Sequence, residues 1–195
     1  MKLYFTIIGF AMALISFFNI LFEVAVWHYV IMAVVWCTAL QFALDVTIAV
    51  AIKLLPDRWF GVDNPCYHVT KFERNIYKKL GVRRWKDKIW ELGGAGGFSK
   101  KKLKEPDNPE YIEKFIIECN KGVLTHRLIY GIGFLAMLTV SKKPAFTIAL
   151  PVAVVNLFLN VLPTMALRYN TPTLKAVLKR LRRKAEKKKK EEALV

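Results

Sequence analysis

The sequence predicts an all-α integral membrane protein, with about four transmembrane helices in two hairpins and a basic cytoplasmic helical segment between them. Three observations carry that prediction. The 195 residues are 54% hydrophobic, yet they hold 31 Lys+Arg against 15 Asp+Glu, a formal net charge of +16. Mean hydropathy is nonetheless positive, at +0.28. The two facts coexist because apolar and charged residues are segregated along the chain. So apolar a composition excludes a disordered chain, and three cysteines without CxxC spacing exclude a disulfide scaffold.

The segments follow in order as 1–53, an N-terminal hairpin; 54–123, a polar segment; 124–167, a C-terminal hairpin; and 168–195, a basic tail. Leu3 to Phe22 is an uncharged run. At 1.5 Å per residue it spans about 30 Å, the thickness of a hydrocarbon core. Apolar character continues from Val24 to Ile52, so one straight helix over residues 3–52 would be about 75 Å long. A turn near Glu23 to His28 resolves this, although it contains neither Gly nor Pro. A signal anchor followed by an oblique helix is the alternative. A cleaved signal peptide is disfavoured by the single Lys2, the long apolar stretch and the lack of a clean A-x-A site. The second hairpin reads as Leu124–Val140, with Gly131 and Gly133 inside it, then a turn at Ser141–Pro144, then Ala145–Leu167 with Pro151 and Pro163. Membrane helices tolerate Gly and Pro better than soluble ones.

Residues 53–127 hold 17 Lys/Arg and the tail from Arg168 holds 11, against Lys142 and Lys143 in the intervening turn. By the positive-inside rule the chain is a multi-pass protein of the cell membrane with both termini cytoplasmic. The tail places Leu174, Val177, Leu178 and Leu181 on one helical face among cations, the pattern of an amphipathic helix lying on an anionic leaflet. Tethering and topology account for the charge, so no nucleic acid partner is expected.

The polar segment opens with Leu54-Leu55-Pro56-Asp57-Arg58-Trp59-Phe60, an interfacial aromatic cluster that reads as an anchor. Phe72, Ile76, Tyr77 and Leu80 share one face of a helix that Gly81 stops. Val82 to Trp90 interleaves five charged residues with two Trp. Its plain reading is an interfacial helix touching lipid phosphates. Its functional reading gives Arg84 or Lys86 an anionic group to hold and Asp87 a partner to orient. Gly93-Gly94-Ala95-Gly96-Gly97 before Ser99 and three lysines is a linker or a phosphate cradle, without P-loop spacing. Asn108-Pro109-Glu110 starts a further helix. Glu118 and His126, eight residues apart on it, meet only if the helix breaks, at Gly122. Asp45 within a span is a functional candidate by default; a structural bond between helices is the equal alternative, since Asn156 and Asn160 are one turn apart and able to bond it. No His/Cys cluster has metal-ligand spacing. No nucleophile elbow or dinucleotide fingerprint occurs.

The order of motifs is more specific than any one of them. Lys71-Phe72-Glu73, Tyr77-Lys78-Lys79-Leu80, Arg84-Trp85-Lys86-Asp87-Lys88, Ile116-Ile117-Glu118 with His126 eight residues on, and Asn160, Pro163 and Arg168-Tyr169-Asn170-Thr171-Pro172 follow one another. This succession resembles the glycosyl-4,4′-diaponeurosporenoate acyltransferase family over about residues 54–183. The place three before His126, often acidic in that family, is Val123, and the apolar N-terminal region is longer than usual. The resemblance implies esterification of a fatty acyl chain onto a sugar hydroxyl of a glycosylated lipid. It implies no cofactor, a thioester co-substrate such as acyl-CoA, and a glycolipid acceptor arriving from the membrane. His126 is the candidate base, with Glu118 or Asp87 to orient it or bind sugar hydroxyls. Arg84, Lys86 or Arg168 would stabilise the oxyanion. Trp85, Asn160, Tyr169 and Asn170 complete the motif positions expected at the substrate. The rival readings are a non-catalytic membrane scaffold and a glycolipid-binding accessory protein.

Overall fold

The computed structural model describes residues 2–89 and 103–192. The expected glycine-rich segment lies outside them. All regular structure among the described residues is helical, and four helices are long and apolar enough to cross a membrane. The protein is an all-α membrane protein. Its chain forms two compact units, residues 1–54 with 124–162, and residues 55–123 with 163–195.

In the first unit, α1 (Lys2–Leu21) and α2 (Trp27–Leu54) form the first hairpin. Their turn needs no glycine because Glu23 itself takes the left-handed conformation, with φ 48°. The Val24 amide donates to the Asn19 carbonyl at 3.0 Å and the Glu23 amide to Ile20 at 3.1 Å, the paired closure that commonly ends helices. The part of α5 (Pro109–Ile132) beyond residue 123 follows and tightens into a 3₁₀ stretch, Gly133–Thr139. After a break at Val140 and Ser141, one helical turn, α6 (Lys142–Pro144), runs through a π-helical stretch, Ala145–Ala149, into α7 (Leu150–Glu192). Asn19, only 5% exposed, bonds across to the Thr147 carbonyl of the π stretch at 2.8 Å. In hydrocarbon such backbone groups need a protein partner. Val30, Ala33, Val34 and Ile148 pack as one cluster, and Cys37, Ala149 and Val152 as a second. Large apolar side chains face outward, such as Phe10, Phe17 and Met32, as a surface set in hydrocarbon requires.

In the second unit, the Thr70 hydroxyl caps α3 (Lys71–Lys79) by accepting from the Glu73 amide at 3.1 Å. Gly81, at φ 61°, ends that helix in the left-handed conformation and leads into α4 (Val82–Trp85). Val69, Tyr77 and Val82 form the local core, with Trp85, Met165 and Tyr169 against it. Asn108 caps α5 by accepting from the amides of Glu110 (3.0 Å) and Tyr111 (3.2 Å). Phe60 is not an interfacial anchor: it is fully buried, with its carbonyl held by Asn120 at 2.9 Å, whereas Trp59 beside it is exposed.

Two expectations are corrected here, and one condition is not met. Glu118 and His126 could meet only through a helix break at Gly122, and α5 is continuous from Pro109 to Ile132. The tail is not a separate surface helix but the end of α7, and Leu174, Leu178 and Leu181 are each at most 8% exposed. Its apolar face is spent on the protein's own packing, and Arg182 ties it to Glu113 at 2.7 Å. On α3 the buried residue is Tyr77, while Phe72 and Leu80 are exposed, because the inward face is organised around an ion pair rather than an apolar stripe.

Candidate active site

Two polar clusters stand out, one in each unit. The first is a ladder of hydrogen bonds linking α5, α7 and α2. His126 Nδ1 lies 2.7 Å from Asn160 Oδ1. Asn160 Nδ2 donates to the Asn156 carbonyl (2.9 Å) and to Asn156 Oδ1 (3.0 Å). Asn156 Nδ2 in turn donates to Gln41 Oε1 (2.9 Å) and to Asp45 Oδ1 (3.2 Å). Gln41 Nε2 donates to the Gly133 carbonyl. Gln41, Asn156 and Asn160 are each no more than 7% exposed, and His126 is half-buried.

The ladder has one chemical direction. Asn160 spends its N–H groups on two Asn156 oxygens, so the atom it turns to the imidazole is its carbonyl oxygen. A flipped amide would set oxygen against oxygen. His126 Nδ1 therefore donates, and the neutral ring carries its lone pair on Nε2. That is the tautomer a general base needs, fixed by a neighbour that cannot itself take up a proton. Individual hydrogen bonds between membrane helices contribute only about 0.6 kcal/mol on average. The ladder's larger effect is to hold one orientation.

Gly133 belongs to the same arrangement. A Cβ there would lie 2.8 Å from Gln41 Oε1, whereas one at Gly131 would meet nothing within 4 Å. Gly133 is thus the point where backbone must come close to let Gln41 reach its carbonyl.

The second cluster centres on Arg168, only 4% exposed. Its guanidinium makes a two-pronged ion pair with Glu73, through Nε to Oε1 and through Nη2 to Oε2 at 2.6 Å. Nη2 also donates to the His68 carbonyl at 2.9 Å. The Tyr77 hydroxyl donates to Glu73 Oε1. Burial, and then the Glu73 carboxylate beside it, hold the Tyr77 phenol above the ordinary tyrosine range. This cluster pins α3 to the second unit's portion of α7, and its charges balance internally.

The other motif residues are placed as follows. Glu118 lies 3.8 Å from Lys121, whose ammonium also meets Asp57 at 2.5 Å and sits 5.6 Å from the Phe60 ring centre. Asp87 is exposed and paired with Lys86 at 2.9 Å. Arg84 is exposed. Trp85 donates its indole N–H to the Leu80 carbonyl at 3.0 Å and packs with Tyr169 on the local core. Asn170 is half-buried on α7. The structure thus gives His126 and Asn160 to one another, and Arg168 to Glu73. Reading the sequence placed Asn156 beside Asp45 and quoted Glu73 and Tyr77 among the motifs, but gave no site role to Gln41, Glu73 or Tyr77. The T-x-x-E signature at Thr70–Glu73 was a visible sign of a helix start there. Among the described residues no group of three or more His, Cys, Asp or Glu is disposed to hold a metal ion.

The family model for glycosyl-4,4′-diaponeurosporenoate acyltransferase matches residues 56–180, well over half of the chain. No curated protein and no solved structure matches.

Proposed function

The chain belongs to the glycosyl-4,4′-diaponeurosporenoate acyltransferase family and is a membrane acyltransferase of the glycosyl-carotenoid type; from that premise we propose that His126 is the base of the transfer. The observation that carries this is the His126–Asn160–Asn156 ladder, all of it inside the matched residues. Nε2 takes the proton of a sugar hydroxyl as that oxygen attacks the thioester carbonyl of the donor. The tetrahedral intermediate collapses, the new ester C–O bond stays, and the thiolate leaves and is protonated. Asn160 holds the ring through Nδ1 and stabilises the imidazolium that forms.

The donor is an acyl thioester such as acyl-CoA. Its phosphates suit a cationic face, and exposed Arg84, together with Lys86, is our candidate for them. The committed Arg168–Glu73 pair favours a shaping role for Arg168 over oxyanion contact. The positive-inside rule supports both termini and the middle segment facing the cytoplasm, where such a donor is found. The acceptor, a glycosylated carotenoid or similar glycolipid, enters from the membrane.

The test compares lipid extracts from cells making the parent protein with those making His126→Ala. The expected result is an ester-linked acyl sugar lipid that disappears in the variant while protein level and membrane insertion persist. Product formed at the parent rate by His126→Ala overturns the assignment. No acylated lipid from either favours a scaffold.

A further inference from the structure

Residues 2–54 lie outside the family match, yet they supply Gln41 and Asp45 to the polar ladder and part of the wall of a groove. The groove lies among α1, α2 and the first unit's part of α7, and is open along one side rather than enclosed. Its walls are apolar, with Ile8, Met12 and Ile15 from α1 and Val152, Val155 and Leu159 from α7. Most of its polar residues gather towards one end, with Thr38 set apart beside Cys37. Gln41 and Asp45 both accept from Asn156 there, and Tyr4 also lines the groove. The opposite end adjoins the Cys37, Ala149 and Val152 cluster, against which Ile15 packs. The groove is therefore amphipathic along its length.

We infer that this groove receives the lipid chain of the acceptor, with a hydroxyl of its sugar donating to Asp45. The inference rests on the acyl-transfer reading above and names the acceptor's seat. Three features carry it. Apart from Thr38, the walls away from the Asp45 end are apolar, as a hydrocarbon chain requires. The polar end is acceptor-rich, and a carboxylate selects hydroxyl donors over an anionic phosphate. The same end is joined through Asn156 and Asn160 to His126. A chain lying in the groove with its head at Asp45 thus has its sugar on the side of the unit where the base is held. The first two helices then act as the specificity element for the acceptor, on a reaction centre built from the matched residues.

The experiment uses the full-length protein in lipid nanodiscs and an n-alkyl glucoside carrying a photoreactive diazirine on its chain. Adducts are mapped by peptide mass spectrometry. Labelling is expected on Ile8–Met12 and Val152–Leu159, and excess unlabelled glucoside should suppress it, whereas an alkyl phosphocholine of equal chain length should not. Ala11→Phe, which fills the groove, should cut that labelling at least tenfold. Val155→Phe serves as a second filling variant should the first fail to insert. Asp45→Leu should abolish the preference for glucoside over phosphocholine. Labelling spread evenly onto the outward-facing Phe10 and Phe17, or unchanged by both filling variants, overturns the inference. His126→Ala should label like the parent. An unlabelled groove in a protein that still makes ester therefore sinks the groove alone, and a labelled groove without ester formation sinks the catalytic reading alone.

Discussion

Glu73 and Arg168 offer a quantitative test of the second unit. Arg168 has a side chain only 5% exposed, and Glu73 one 20% exposed. Replacing Glu73 by Met leaves a buried guanidinium without its carboxylate partner, though the His68 carbonyl still accepts from it. Uncompensated buried charge costs about 3–5 kcal/mol. In a chain of this size that corresponds to a fall in Tm of roughly 6–20 °C. Arg168→Met should cost less, because Glu73 is more exposed and keeps the Tyr77 hydroxyl as a donor. The double variant E73M/R168M removes both charges and loses about 1 kcal/mol for the His68 contact. It should therefore be more stable than E73M alone. Thermal unfolding in detergent, followed by tryptophan fluorescence, gives all four corners of the cycle. Additive losses, or a cost below about 1 kcal/mol for E73M, would refute the view that these charges depend on one another.

Three further outcomes follow from the local geometry. Glu23→Gly should raise stability by about 0.5–1 kcal/mol, since glycine takes the left-handed turn without strain; an unfolding curve shifted the other way contradicts the turn. Gly133→Ala should lower Tm and transfer rate together by displacing Gln41, whereas Gly131→Ala should leave both near the parent values; equal effects at the two positions argue against the close approach. Because Tyr77 titrates above the ordinary range, the stability its protonation contributes is full below pH about 10 and is lost as pH rises beyond that towards its own raised value. At pH about 10 the 295 nm absorbance of Tyr77→Phe should match the parent, and a phenolate signal missing from the variant contradicts its burial.

What the sequence disclosed and what it hid divide along physical lines. Uncharged runs of membrane length are local signals, so both hairpins were legible. So was the Asn108 cap, which depends on three adjacent residues. The Glu23 turn was placed but not explained, because its left-handed residue is one whose type gives no hint of it. The partners of Arg168 and His126 lie 95 and 34 residues away, and no periodicity connects them. Asn156 and Asn160 were legible as a pair because one helical turn separates them, but Gln41 approaches from another helix at a glycine. The tail misled because an amphipathic pattern shows that one face is covered without showing by what. Leu178, 2% exposed, is covered by protein.

The central claim is that His126, oriented by Asn160, is the base for acyl transfer. The most direct measurement is the single-turnover rate of ester formation by purified protein in nanodiscs, with acyl-CoA and a glycosylated carotenoid, for the parent and for His126→Ala. Loss of a general base predicts a fall of about 10²–10⁴ with the acceptor still bound. A variant that forms ester as fast as the parent would contradict the account.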